Sequence, residues 1–284
     1  MSSDTAPTQQ PSALSPAPKN YGLFVAFIAI IGAFSSLVND MYLPTIPSMM
    51  KEFPTTPSMT QMGISMAMAG MGLGSILWGS ASDRYGRKPI LIVSLILFVL
   101  ATAMSLFSPN ITFFIICRLF QGLGAGGAMV LSTSIPADVY MGRQLAKLMA
   151  IVGAINGVAP ALGPVIGGFM ADWVGWRGIF IVLLVIGIGM TFWTTRYHES
   201  LPPQRRLQAR SLRDYVKAYR SLFSNGRFMI YVTIKAVAIG LLYAYISSAP
   251  FIIQTHYGFS AMSFGLIFGG NALAMGIGSS LALR

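Results

Sequence analysis

Asp40 has the most chemistry to offer of any residue in this chain, because of where it stands. From Leu23 to Val38 the sequence carries no charge, and Asp40 follows in the same apolar stretch. A carboxylate inside a bilayer costs roughly 3 kcal/mol or more unless it is paired or takes up a proton, so an ionisable residue there marks a functional site. Held between desolvation and a nearby cation, such a group changes protonation when its surroundings change. It can therefore load a proton on one side of a membrane and release it on the other. The plainer role for Asp40 is to cap a helix end at the outer interface, beside Pro44 and Pro47.

Arg118 is the candidate partner. It lies seven residues into the fourth apolar stretch, and Asp40 lies seven residues before Pro47. At 1.5 Å per residue both sit about 10 Å deep, so a pair between the first and fourth helices is geometrically possible. A structural salt bridge or a clamp on backbone carbonyls is the alternative for Arg118. Asn39, Gln121, Asn156, Tyr243 and Tyr245 are polar groups within apolar segments and could line a cavity. Met59, Met62, Met66, Met68 and Met71 crowd the second stretch, either as core filler or as an adaptable apolar surface. Lys235 stands about 12 Å into the seventh stretch, within reach of the interface by snorkelling.

Other chemistry is missing. The single cysteine, Cys117, excludes an internal disulfide, and with only His198 and His256 beside it no metal set is expected. There is no nucleophile–base constellation and no phosphate loop, so neither an enzyme nor a cofactor is expected.

The elements that must position these residues follow from composition. Hydrophobic residues make up 54% of the 284, with 30 glycines besides, and only 10% are charged, against about 25% in soluble domains. Such a chain cannot present a wettable exterior, which excludes a soluble enzyme. Continuous apolar runs such as 90–106 and 179–193 indicate spanning helices rather than the short alternating strands of a barrel. Eight helices are expected, over 21–47, 59–80, 89–107, 111–134, 144–170, 178–197, 227–251 and 261–283. Fifteen of the 19 Lys and Arg fall on the side of the N-terminus and only Lys51 and Arg177 on the other, with Arg118 and Lys235 inside spans. The net charge of +11 is thus topology rather than nucleic-acid affinity, and both termini are expected in the cytoplasm. Trp78, Trp173, Trp176 and Trp193 fall near span ends, as interfacial anchors do. Residues 1–20 are polar, lack a secretory signal pattern and read as a disordered tail. Residues 21–197 form a six-helix half, 198–226 a basic linker, and 227–284 two further helices. Gly74-Ser75-Ile76-Leu77 and Gly278-Ser279-Ser280-Leu281 faintly echo one another, as repeated halves would.

Three motifs and one further stretch sit on this frame. After the second helix comes Gly79-x3-Asp83-Arg84-x-Gly86-Arg87-Lys88, a short charged turn that is either a solvated loop or a latch for a neighbouring helix end. It resembles the signature loop of the major facilitator superfamily. Arg118-x2-Gln121-Gly122-x-Gly124-x-Gly126 is similar to that superfamily's basic fourth-helix motif. Ala159-Pro160-x2-Gly163-Pro164-x2-Gly167-Gly168 resembles the motif of its antiporters. Asn39-Asp40-Met41-Tyr42-Leu43-Pro44, with Pro47, resembles the Bcr/CflA drug-resistance subfamily. The glycine pairs 70/74, 122/126, 163/167 and 265/269 are also small-residue faces suited to close helix packing.

The resemblance covers residues from about 21 to the end, and it implies an all-α transporter of twelve helices in two halves around a central cavity. It implies a multi-pass protein of the inner membrane that exchanges an amphipathic drug for protons, with the proton gradient as its energy source. In that frame Asp40 and Arg118 serve proton coupling and substrate binding. The Asp83–Lys88 loop grips the eleventh helix, and Pro160, Gly163, Pro164, Gly167 and Gly168 let the fifth helix flex or prevent leak. The sequence ends at Arg284, where the family has four more helices. The expectation is a chain truncated after helix eight, whose last Gly-rich face lacks its usual neighbours. A non-transporting membrane protein and a metabolite transporter of the same superfamily are the alternatives.

Overall fold

Short polar side chains set the helix starts. Asn20, Thr56, Asn110 and Asn225 each accept a hydrogen bond from the backbone N–H three residues on, at 3.1, 3.4, 2.9 and 3.2 Å. Each satisfies one of the orphan donors of a first helical turn. The structure is a computed structural model that describes residues 20–206, 217 and 220–282. The tail expected over 1–20, apart from Asn20, and the centre of the basic linker lie outside the described residues.

The described helices are α1 (Tyr21–Asp40), α2 (Ile46–Glu52), α3 (Pro57–Tyr85), α4 (Arg87–Leu106), α5 (Ile111–Val139), α6 (Gly142–Arg196), α7 (Gly226–Pro250) and α8 (Ala261–Ala282). Among the described residues there is no strand. A 3-10 turn at Leu43–Thr45 joins α1 to α2, because Pro44 and Pro47 cannot donate to a continuous α ladder. A π segment, Phe251–His256, follows α7.

Six of these stretches are long and apolar enough to cross a membrane, α1 and α2 counting as one. At 55 residues α6 would run about 80 Å if straight, more than twice a hydrocarbon core. It breaks at Gly175, whose φ of 64° is unfavourable for any residue with a Cβ. Leu148 and Val152 before the break share a core with Leu183 and Met190 after it, so the chain turns back there. The expected fifth and sixth spans are these two limbs. The chain is an all-helical, multi-pass membrane protein.

α5 is the central element, buried against α1, α3 and α4. Its approach to α3 is backbone on backbone. A Cβ at Gly70 or Gly74 would overlap the Leu119 or Leu123 carbonyl, and one at Gly122 or Gly126 the Ala67 or Met71 carbonyl. α8 packs on α6, where Gly265 and Gly269 lie against the Pro164 and Ala161 carbonyls. The Gly-rich face expected to lack its neighbours therefore has one, since two helices without intervening side chains fit closely. α7 is exposed along 226–242, Lys235 included.

Candidate functional site

Arg118 is fully buried. It projects from α5 toward the end of α1, where the helix leaves an acceptor free. Tyr42 N–H donates to Asn39 O at 3.2 Å rather than to Val38 O, because the chain tightens into the 3-10 turn there. The orphaned Val38 carbonyl accepts from Arg118 Nη1 at 3.3 Å. Arg118 Nη2 donates to Asn39 Oδ1 at 2.8 Å, Nε to Gly63 O at 3.2 Å, and Nη1 also to Gln121 Oε1. The Tyr42 and Phe180 rings lie 4.7 and 5.7 Å from the guanidinium carbon. Each ring face stabilises a desolvated cation by about 1–2 kcal/mol, and hydrogen bonds from a charged donor add about 1.5–3 kcal/mol each. Gln121 is held in turn by donating to Thr102 Oγ1 at 2.8 Å.

Asp40 does not join this group. The level matches the expected pairing but the direction does not, since consecutive helical residues point about 100° apart and Asn39 takes the side facing Arg118. Asp40 turns instead to α6 and is 7% exposed. Gly163 stands directly behind it: a Cβ there would come within 2.6 Å of the Asp40 Cβ. Across from α7, Tyr243 is within electrostatic reach of the carboxylate. Among the described residues no group donates a hydrogen bond to the Asp40 side chain, and Arg118 forms no ion pair with it.

The expected cavity-lining set divides. Asn39 and Gln121 are committed to Arg118. Asn156 is half-buried on α6 with its Oδ1 inaccessible and unpaired. Tyr243 is half-buried on α7. Tyr245 accepts from Asn271 Nδ2 at 3.0 Å and stacks on Phe268 at 6.0 Å.

The charged motif between the second and third spans is mostly helix, which corrects its reading as a loop. Gly79, Asp83 and Arg84 belong to the last turns of α3, and Gly86 alone links α3 to α4 with a φ of 105°. Arg87 is buried and donates to Asp138 Oδ2 at 2.8 Å, Asp83 Oδ1 at 2.6 Å and Ser82 Oγ at 2.7 Å. The Glu199 carboxylate accepts from the Arg87 and Lys88 backbone N–H groups at 2.9 and 3.2 Å, capping the positive end of α4. Lys88 Nζ donates to Thr195 O at 2.7 Å. Burial close by pushes the Tyr197 phenol above its ordinary range, so it stays neutral at physiological pH. Arg87 and Lys88 are thus bound within their own half, and of the motif's charges only Arg84 is exposed. Asp138 and Glu199 escaped the sequence reading. The signal was there: the chain has only eight acids, and these two stand at the basic ends of the fourth and sixth spans.

Among the described residues, three hydrogen bonds tie the first six spans to the last two. Gln61 Nε2 donates to Ser247 O at 3.2 Å, Gln254 Nε2 to Pro44 O at 2.9 Å, and Met262 N to Asp172 Oδ2 at 3.0 Å. All three lie at the end remote from the Arg87 cluster. There Glu52 also meets Arg177 and accepts from Trp176 Nε1 at 2.6 Å.

Comparison with known proteins places this geometry. The family model of the Major Facilitator Superfamily, a family of transporters rather than enzymes, matches residues 28–284. An uncharacterized MFS-type transporter of Bacillus subtilis, YdgK, is 34% identical over 92% of this chain and 64% of its own. A chloramphenicol resistance protein of Pseudomonas aeruginosa is 29% identical over 88% of this chain and 59% of its own. A bicyclomycin resistance protein homolog of Haemophilus influenzae is 25% identical over 94% and 67%. The chain therefore spans about 60% of the length of the curated relatives it matches. A bacterial homolog of the human lysosomal transporter Spinster, solved in an inward-facing and unoccupied conformation, shares the fold at a TM-score of 0.72 and 16% identity, over 89% of this chain and 60% of that one. The chain belongs to the Major Facilitator Superfamily, and drug-resistance proteins are among its relatives.

Proposed function

We propose that this chain is the proton-handling part of an exporter that exchanges amphipathic drugs for protons, with Asp40 as the proton carrier. One observation carries the reading: a carboxylate within a span, nine-tenths buried, that no described side chain neutralises or hydrogen-bonds. Such a group is stable in the bilayer only when protonated or when a ligand supplies the missing interaction. A cationic or polar drug and a proton would then compete for it, and that competition is antiport. Arg118 acts at one remove, by fixing Asn39 and the end of α1 and so the place of Asp40. The resistance named for two relatives supports the substrate class.

The last two spans touch the first six at the end remote from the basic residues, while α7 stands exposed along its other part. With the basic side in the cytoplasm, this is an inward-open arrangement in the inner membrane with both termini cytoplasmic. Four further helices of the family pattern, from the rest of the protein or from a partner, would complete the cavity, and no cofactor is required.

The test is proton release. Chloramphenicol is added to the purified complete product in weakly buffered detergent, and the pH is followed. The proposal expects proton release from the wild type and none from Asp40→Asn. Equal release from both would refute it.

A further inference from the structure

We infer that Gly163 is a positioning residue for Asp40: its bare backbone is the wall that fixes where the carboxyl sits, and α8 fixes where that wall stands. The inference rests on the reading of Asp40 as the proton carrier.

The geometry is two-faced. On one face of α6, Gly163 meets the Asp40 Cβ, and a Cβ added at Gly167 would overlap the Met41 backbone. On the adjacent face, Gly168 meets Ala261 O, and the Pro164 and Ala161 carbonyls meet Gly265 and Gly269 of α8. At these contacts the three helices meet mostly backbone to backbone, with the Val165 side chain against Gly269 as the exception, so little flexible material lies between them to take up a displacement. Close-packed interiors transmit strain under those conditions. A shift of α8, a helix of the second half, must move the segment 161–168 and with it the wall behind Asp40. This gives the glycines a task that close packing alone does not require, namely coupling the placement of the acid to the contact between halves.

The other groups around Asp40 do not share that task. α5 sends Arg118 to Asn39, one residue away. From α7 the Tyr243 hydroxyl is the titratable group within reach. α6 presents Gly163, with no charge of its own on that face.

The test follows the proton on the carboxyl itself. In the purified complete product, the infrared C=O band of protonated Asp40 is the one absent in Asp40→Asn, and its midpoint is read by pH titration. Gly163→Ala is expected to move that midpoint by about one unit, within the range environments impose on carboxyls. Gly265→Ala adds an equal methyl on the α8 face one layer removed, and is expected to move it less than half as far. Asp40→Glu keeps the carboxyl but lifts it one methylene off the wall; it moves the midpoint beyond the intrinsic difference of about 0.4 and serves should Gly163→Ala fail to accumulate. Unchanged midpoints in Gly163→Ala and Asp40→Glu would overturn the inference while leaving the proton carrier intact. Absence of any titrating band in the wild type would overturn both.

Discussion

Arg118 shows how a buried charge is kept at the residue scale. It has no carboxylate partner among the described residues; two backbone carbonyls, two side-chain amides and two ring faces share the cation. That arrangement suits a planar fork and not a point charge. Arg118→Lys keeps the charge and loses the fork, so it is expected to lower stability by about 3 kcal/mol in detergent unfolding and to reduce drug efflux about tenfold or more. The sequence told that Arg118 and Asp40 lie at the same depth, because rise per residue is fixed. It could not tell that Asn39 intercepts the guanidinium, since that depends on the 3-10 turn at Leu43–Thr45 and on which carbonyl it strands. The same holds for Arg87. Its motif was legible, but Asp138 and Glu199 come from distant helices and no local spacing announces them.

At the scale of the element, glycine decides where helices meet. The pairs 70/74 and 122/126 were visible as small-residue faces, and they do interlock, α3 against α5. Gly122→Ala would drive a methyl into the Ala67 carbonyl, and helix backbones yield little. The expected loss is about 2–3 kcal/mol by thermal or denaturant unfolding, whereas Gly72→Ala, in open space on the facing helix α3, should be neutral or slightly stabilising. Gly86 is a separate case, with both a positive φ and Glu199 at its back. Gly86→Ala is expected to release Glu199 from the start of α4, seen as increased hydrogen exchange at the Arg87 and Lys88 amides. Helix extents were less legible than helix existence. α3 and α5 run beyond their apolar cores because Asp83 and Asp138 find a partner in Arg87 and remain helical.

At the scale of the whole molecule, the hydrogen bonds described between the first six spans and the last two lie at the end remote from the basic residues. Gln61, Gln254 and Asp172 make them to backbone groups of the opposite part. A Gln61→Cys/Ser247→Cys pair should cross-link readily, and reduction should restore transport that the cross-link blocks. Efflux unaffected by the cross-link would show that this end need not open. The all-helical membrane class and most of the helices were readable from apolar length. The contacts between α8 and α6 were not, because no sequence rule says which small-residue face meets which.

The central claim is exchange of drug for proton at Asp40. It is tested most directly in inverted vesicles carrying the complete product, with an imposed pH gradient and labelled chloramphenicol outside. The account predicts gradient-driven accumulation by the wild type, at least about tenfold less by Asp40→Asn, and unimpaired downhill equilibration by the same variant. Gradient-driven accumulation by Asp40→Asn at the wild-type level would contradict it.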